Sequence, residues 1–380
     1  MSKRCNGEGS IRQRGNRWEG RVHLGFGPDG RQIRRAFLGA TRADVQQMLS
    51  QAIVDRKRDL PVQDDRKTVR QFLTRWLEDS VKPNVRPSTY RRNEQAVRLH
   101  LLPTLGRIKL TKLSPDDVRG LMKMKSAAGQ SSRSVGIIHA TLRAALNDAL
   151  RLGEVQRNVA SLVRPPRNTS KLIQPFSPAE ARTFLRALQG DRLEALYVLA
   201  IATGLRQAEL LGLRWKDLDL DEAMLSVRFT LHRLDGTYQL AEPKTRQSRR
   251  TIAIPEIAVA ALRNHRIRQA EERLGVGQGW NDLDLVFTTA KGQPLSGFVV
   301  YARFKHIIKA AGLPPQRFHD LRHCTATLLL VQGTHPRVVM ELLGHSAISV
   351  TMNCYSHVLA ELKREPANQM DALLATPSKG

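Results

Sequence analysis

Four stretches in the second half of this 380-residue chain carry side chains able to grip an oxyanion, move a proton or act as a nucleophile. In Ala202-Thr-Gly-Leu-Arg206-Gln-Ala-Glu209 a glycine break puts an arginine at the start of a helix, with a carboxylate three residues on. A guanidinium there offers a planar fork to an oxyanion, and Glu209 can hold it in place. The plainer reading is a surface ion pair at i, i+3. In Pro243-Lys244-Thr-Arg-Gln-Ser-Arg-Arg a lysine stands at the bend of a hairpin region, as a mobile proton donor or as an ordinary cationic turn. Phe318-His319-Asp-Leu-Arg322-His323 opens an amphipathic helix, so His319 and Arg322 share a face one turn apart. Last, Gly344-His345 ends one helix, and Met352-Asn-Cys-Tyr355-Ser-His357 lies on the next. Cys354, Tyr355 and His357 could each do covalent or acid-base work, and nothing local chooses between them.

The elements that must position these groups follow from period and caps. Ser177-Pro178-Ala179-Glu180 gives an N-cap, a proline at the first helical position and a carboxylate at the third. Leu193, Leu196, Tyr197, Ala200 and Ile201 form one apolar helical stripe, stopped at Gly204, and Leu210, Leu211 and Leu213 belong to a second helix. The period then drops to two. Leu225 to His232 alternates as a single strand, Asp235-Gly236 makes a turn, and Tyr238–Leu240 and Arg250–Ile254 supply further strands. From about Pro255 the pattern is again mainly helical.

Two further blocks precede this one. Residues 1–62 read as a small sheet plus a helix: Trp18 to Leu24 alternates, Gly27-Pro-Asp-Gly30 turns, Arg31 to Phe37 alternates, and Thr41-Arg-Ala-Asp44 matches a capping box for a helix to about Lys57. Arg12, Arg14, Arg21, Arg34 and Arg35 make that sheet a candidate DNA-reading surface. Residues 63–168 read as all-α. Val69, Phe72, Leu73, Trp76 and Leu77 start a helical stripe, Ser114-Pro-Asp-Asp117 caps another helix, and Val135, Ile138, Leu142, Ala145, Leu146 and Ala149 line a third. Arg91, Arg92 and Arg133 leave its polar faces basic and are candidate phosphate contacts. Val163-Arg-Pro-Pro-Arg-Asn-Thr-Ser170 then reads as a linker.

Composition narrows the partner. With 61 Lys plus Arg against 35 Asp plus Glu, a formal net charge of +26, a polyanion is expected. An anionic membrane surface is the weaker candidate, because no apolar run approaches the ~20 residues that span a bilayer. Three cysteines without a CxxC pair indicate neither a disulfide framework nor a cysteine zinc site, and the N-terminus lacks a signal-peptide core. A cytoplasmic protein with nucleic acid as its partner is expected.

Taken together, Arg206, Lys244, His319-x-x-Arg322, Gly344-His345 and Tyr355, in this order, resemble the full signature of the tyrosine recombinases, the integrases of phages and integrative elements. The resemblance covers the whole chain. It implies an arm-type DNA-binding domain over residues 1–62, a SAM-like helical core-binding domain over 63–168, and a mixed α+β catalytic domain with a C-terminal tail over 169–380. The expected fold is therefore multidomain and mainly α with small β-sheets. The roles it implies suit each group. Tyr355 attacks a DNA phosphate, giving a 3′-phosphotyrosyl link and a free 5′-hydroxyl, so the bond energy is kept without ATP. Arg206 and Arg322 hold the non-bridging oxygens. His319 accepts or relays the tyrosine proton, His345 hydrogen-bonds the phosphate, and Lys244 protonates the departing oxygen. Glu209 orients Arg206. Some relatives have tryptophan where this chain has His345, and Lys216 is a second lysine near the region of Lys244.

The resemblance implies no cofactor and no metal, double-stranded DNA with core and arm sites as partner, and a homotetramer on DNA that exchanges strands through a Holliday junction. A DNA-bending host factor and a directionality factor are further expected partners. Three alternatives differ in what they do with the same fold: a housekeeping resolvase, a catalytically silent DNA-binding protein, and a topoisomerase-like enzyme that relaxes DNA without pairing sites. Residues 359–380 are expected to form a helix that docks on a neighbouring protomer.

Overall fold

A computed structural model describes residues 10–26, 32–57, 66–167, 174–234, 236–243 and 248–344. The chain divides into two compact units, Met1–Ser170 and Lys171–Gly380. It is mainly helical, with three small antiparallel sheets among the described residues.

The first unit holds two separate apolar cores. In one, strands β1 (Ser10–Arg14), β2 (Arg17–Phe26) and β3 (Gln32–Gly39) form an antiparallel sheet in that order, with helix α1 (Arg42–Lys57) against it. The capping box starts α1 as its sequence requires: Asp44 N–H donates to Thr41 Oγ1 (3.2 Å), and Thr41 N–H donates to Asp44 Oδ2 (3.1 Å). Alternation puts Val22 inward, where it meets Val45, Leu49 and Ala52. Gly20 lies under α1, and a Cβ there would stand 2.5 Å from Val45, so the helix rides directly on the strand.

The other core belongs to an all-α bundle. Its helices are α2 (Val69–Trp76), α3 (Pro87–Ala96), α4 (Leu102–Leu105), α5 (Pro115–Ala127) and α6 (Ser132–Arg151). The expected stripe of Val69, Phe72, Leu73, Trp76 and Leu77 is buried, as are all six apolar residues assigned to α6. After α2 the helix widens through Leu77–Val81, where Lys82 N–H reaches back five residues to Leu77 O (2.9 Å). Ser114 and Asp117 cap α5 reciprocally.

The second unit contains helices α7 (Pro178–Ala187), α8 (Glu194–Thr203) and α9 (Gln207–Leu211), then strands β4 (Leu218–Asp219), β5 (Met224–Val227), β6 (Thr230–Leu234), β7 (Thr237–Ala241) and β8 (Arg250–Ala253). Helices α10 (Glu256–Val276), α11 (Gly297–Ala310), α12 (Asp320–Val331) and α13 (Pro336–Leu343) follow. Helix α8 is apolar on all sides and fully enclosed, as the centre of a core must be. Around it pack Phe184, Phe304 and Phe318, with Tyr197 donating its hydroxyl to Val300 O (2.8 Å). A satellite core of Ala326, Leu330, Val339 and Leu343 fastens α13 to α12.

One expectation fails here. The alternating run Leu225–His232 is two strands in two different sheets, since β5 pairs with β4 and β8 while β6 pairs only with β7. The chain breaks at Arg228-Phe229, where the guanidinium of Arg214 lies over the Phe229 ring, 4.2 Å from its centroid. Alternation survives a change of sheet, so periodicity alone does not reveal the corner.

Among the described residues no helix is long and apolar enough to cross a membrane.

Candidate active site

The site is built where two helices stop. Helix α8 ends at Gly204 (φ 63°) and α13 at Gly344 (φ 64°), both left-handed, as helix C-caps favour for glycine. Such ends leave carbonyls without intrahelical donors, and the macrodipole makes them a place for cations. Arginines fill that need. Arg322, one turn into α12 and with only 3% of its surface exposed, donates from Nη1 to Gly204 O (2.8 Å) and from Nη2 to Leu343 O. Arg206, the residue ahead of α9, donates from Nη2 to Gly344 O (3.1 Å).

Gly204 is required twice over. Its backbone is left-handed, and a Cβ would sit 2.4 Å from Leu343 Cδ2 and 3.3 Å from Thr325. Gly204→Ala should therefore cost the ~1–2 kcal/mol of a left-handed L-residue plus the clash, and push the end of α13 away. Thermal melting should show the loss of stability; an unchanged melting temperature would mean that α8 and α13 do not meet as described.

Glu209 lies in the first turn of α9, 2% exposed. It accepts the Arg206 backbone N–H at Oε2 (2.9 Å) and Arg206 Nη1 at Oε1 (2.7 Å). The expected i, i+3 pair is thus no surface bridge: its carboxylate is sunk in the core while the guanidinium stays 36% exposed. Burial pushes the Glu209 pKa up, but Arg250 and Arg206 outweigh it, so the carboxyl titrates below the usual glutamate value. Of the five N–H groups of Arg206, two are used by Glu209 and Gly344, and the rest of the fork is available to an anion.

His319 stands immediately before α12, with its ring edge-on to His323 (centroids 5.7 Å apart, planes at 86°). Its outer surface is exposed, yet the dense protein around it, His323, Arg322 and Arg206 hold its pKa below the ordinary histidine value, in that order of effect. His323 is lowered too, first by burial and then by Arg317 and Arg322, against the opposing pull of Asp320. Both imidazoles are therefore neutral at physiological pH, the state in which one can accept a proton.

This fixes the sign of a pH effect. A histidine whose folded pKa is lowered binds fewer protons folded than unfolded, so stability falls as pH drops below its unfolded value of ~6.5. His100 and His265 are lowered by burial as well, and Glu209 and Asp320 lose their stabilising charge further down. All act in one direction. Melting temperature should decline steadily from about pH 7 toward pH 5; a flat profile would contradict the neutral, partly buried imidazoles.

The structure brings Arg206, Glu209, His319 and Arg322 together. Lys244, His345 and Tyr355 lie outside the described residues, as do Cys354, His357 and the tail at 359–380. Gly344, which accepts from Arg206, is the residue before His345. Lys216 is 63% exposed with its Nζ 3.9 Å from Asp284.

The sequence reading passed over Arg250, in the same Arg-Arg run as Lys244. Its side chain is 8% exposed and meets both Glu209 and Leu342 O. The available signal was its register: Arg250 falls in step with the buried Ile252, an inward position for an arginine.

In the N-terminal sheet, pairing puts Arg12 opposite Glu19, Ser10 and Ala36 opposite Arg21, and Arg34 opposite His23. With Arg14 these stand on the face away from α1, whereas the backbone of Arg35 pairs with that of Val22. Arg12 (2.7 Å) and Arg21 (3.0 Å) both donate to Glu19. In the helical bundle Arg92 and Arg133 are exposed and Arg91 is half-buried.

Known proteins match along the same lines. Residues 176–361 match the model of the phage integrase family, and residues 68–125 match a phage integrase N-terminal SAM-like domain. A "tyrosine recombinase XerC-like" protein of Caldanaerobacter subterraneus subsp. tengcongensis is 31% identical over 371 residues, 93% of this chain and 95% of that protein. This chain belongs to the tyrosine recombinase family. It is a site-specific recombinase of the integrase kind. A Streptomyces ambofaciens integrase is 30% identical over 98% of this recombinase and 97% of its own length. The fold is that of the Tn1549 transposon integrase solved with a circular intermediate DNA (TM-score 0.67, 23% identity, 78% of this chain and 99% of that one).

Proposed function

We propose that this recombinase integrates and excises a phage or mobile element through Tyr355. In this reading Tyr355 attacks a DNA phosphate, forming a 3′-phosphotyrosyl bond and releasing a 5′-hydroxyl; the 5′-hydroxyl released from the partner duplex then attacks this bond, freeing the tyrosine and sealing a recombined strand. The observation that carries it is the convergence of Arg206, Arg322 and a neutral His319 at the helix ends beside Gly344, eleven residues before Tyr355 in the chain.

Each group has a task its surroundings suit. The exposed part of the Arg206 fork meets one non-bridging oxygen, with Glu209 fixing its angle. Arg322, held by two carbonyls, supplies charge already in position, so no reorganisation is needed as the pentavalent phosphorane develops. His319 takes or relays the tyrosine proton, His345 donates to the phosphate, and Lys244 protonates the leaving 5′-oxygen. Glu209 never reacts.

Two duplexes exchanged at both strands present four bonds to cut, and with one tyrosine per chain that calls for four protomers on two sites. The sheet face bearing Arg12, Arg14, Arg21 and Arg34 is assigned to arm sites. The basic surface of the helical bundle, with Arg91, Arg92 and Arg133, is assigned to the core site. A DNA-bending host protein and a directionality factor complete the proposed assembly. Residues 1–62, 63–168 and 169–380 are the proposed arm-binding, core-binding and catalytic domains, the last including the tail.

The test is a nicked duplex carrying the element's own end junction, recovered by sequencing the DNA that flanks the gene. The intact protein should become covalently attached to the 3′ side of the cut, stable to detergent and removed by protease. A free 3′-hydroxyl with protein on the 5′ side would overturn the assignment. Relaxation of supercoils without joining of paired sites would favour a topoisomerase-like reaction instead.

A further inference from the structure

We propose that Arg250 is a positioning residue for strand cleavage: it sets the Arg206 fork by holding Glu209, which binds Arg206, and by holding the end of α13 just ahead of the Gly344 carbonyl that Arg206 also binds. The inference rests on the recombinase reading above and adds a residue to its machinery.

Arg206 is fixed at two points, the carboxylate of Glu209 and the carbonyl of Gly344. Arg250 engages the first support directly and the second through the end of α13, two residues earlier. Its Nη2 donates to Glu209 Oε2 (3.2 Å) and its Nη1 lies 3.5 Å from Oε1, the oxygen that takes Arg206 Nη1. Its Nε donates to Leu342 O (2.7 Å), two residues before Gly344, and Nη1 also donates to Ser248 O (3.1 Å). Residues 206, 250 and 342 lie on a helix start, a strand and a helix end, so one side chain ties three elements at the place where the phosphate is gripped.

A cation this deeply enclosed is a poor choice for stability alone. Burying a charge costs several kcal/mol, and an apolar residue of similar volume often serves a fold as well or better. The site also holds one carboxylate against two guanidiniums, so Arg206 by itself would neutralise Glu209. What Arg250 adds is geometry. Only a guanidinium can present Nε to a carbonyl and its Nη edge to a carboxylate at once; an ammonium supplies a single point. It also keeps Glu209 ionised. With its surroundings buried, loss of one of two cations raises the pH at which that carboxyl takes up a proton.

The experiment compares four proteins on the same nicked duplex, following adduct rate from pH 5.5 to 8 alongside DNA affinity and melting temperature. With Arg250→Met, adduct formation at neutral pH should fall roughly a hundredfold, the scale of a misplaced catalytic group, with DNA affinity within about threefold. Its acid limb should also move to higher pH. Glu209 is faced by Arg206 from α9 and by Arg250 from β8, while His319 and His323 titrate nearby in every protein. The double variant Arg250→Met with Glu209→Gln isolates the Glu209 contribution, because it must lose the shifted limb and remain slow. Arg250→Lys should restore folding without restoring the rate.

Wild-type rate and pH profile in Arg250→Met would overturn the proposal. So would a loss that parallels melting temperature and is rescued in full by lysine, since that is a merely structural role. If Arg250→Met does not fold, the charge-balanced double variant carries the test, and wild-type cleavage by it would also overturn the idea. Absence of adduct with the unsubstituted protein counts against the recombinase reading, whereas equal adduct with and without Arg250 counts against this inference alone.

Discussion

Tyr355→Phe should leave DNA binding intact and remove covalent attachment to a nicked duplex altogether. The substitution deletes one oxygen and keeps the ring, so packing changes least while the nucleophile disappears. A free phenol of pKa ~10 is only about one part in a thousand ionised at neutral pH, so Tyr355 depends on its surroundings for reactivity. In the proposed mechanism that help comes from His319 and from two guanidiniums already anchored on main-chain carbonyls. A denaturing gel separates the outcomes. An adduct that persists in Tyr355→Phe would mean another nucleophile, with the neighbouring Cys354 thiol the first to examine. Adding Cys354→Ser would then decide.

Arg322→Gln should have the next largest effect, because Arg322 does two things at once. Its donors satisfy Gly204 O and Leu343 O, and in the proposed mechanism its charge stabilises the negative charge that develops at phosphorus. Removing one such preorganised donor costs about 10²–10³ in rate, and leaving buried carbonyls without a partner costs ~1–3 kcal/mol of stability. Cleavage and melting temperature should therefore fall together. Arg322→Lys should keep more stability than it keeps activity, since an ammonium reaches one carbonyl and neutral charge balance is preserved, but the two-point hold is lost. If the lysine variant cleaves at the wild-type rate, a point charge suffices and the fork carries no special weight.

The helix starts of this chain are written locally and were readable as such. Thr41 with Asp44, Ser114 with Asp117 and Ser177 with Glu180 each satisfy backbone donors within three residues, so the signal and its structural cause occupy the same window. The apolar stripes of α6 and α8 are legible for the same reason. The corner at Arg228-Phe229 was not, because what packs there, the guanidinium of Arg214 on the Phe229 ring, comes from fifteen positions earlier (229 minus 214). The chemistry shows the same division. Arg206 and Glu209 declare each other at i, i+3, and His319 and Arg322 likewise. Arg250 declares only its inward register and not its partners, which are a carboxylate 41 residues away and a main-chain carbonyl 92 residues away. A carbonyl has no letter in the sequence.

That last point bears on how far such a chain can drift. The end of α13 is gripped through Leu342 O, Leu343 O and Gly344 O, so the arginines touch atoms that every residue possesses. Mutation at Leu342 is invisible to Arg250 so long as the helix still ends at the same turn. The glycine, for its backbone angle, and Val339 and Leu343, for their seats in the α12–α13 core, are held to their identities. A grip on main-chain atoms thus lets most of the surrounding helix be rewritten while the hold itself stays the same. Grafting the α13 sequence of a distant relative into this protein should accordingly preserve cleavage, provided the graft keeps its length and its terminal glycine.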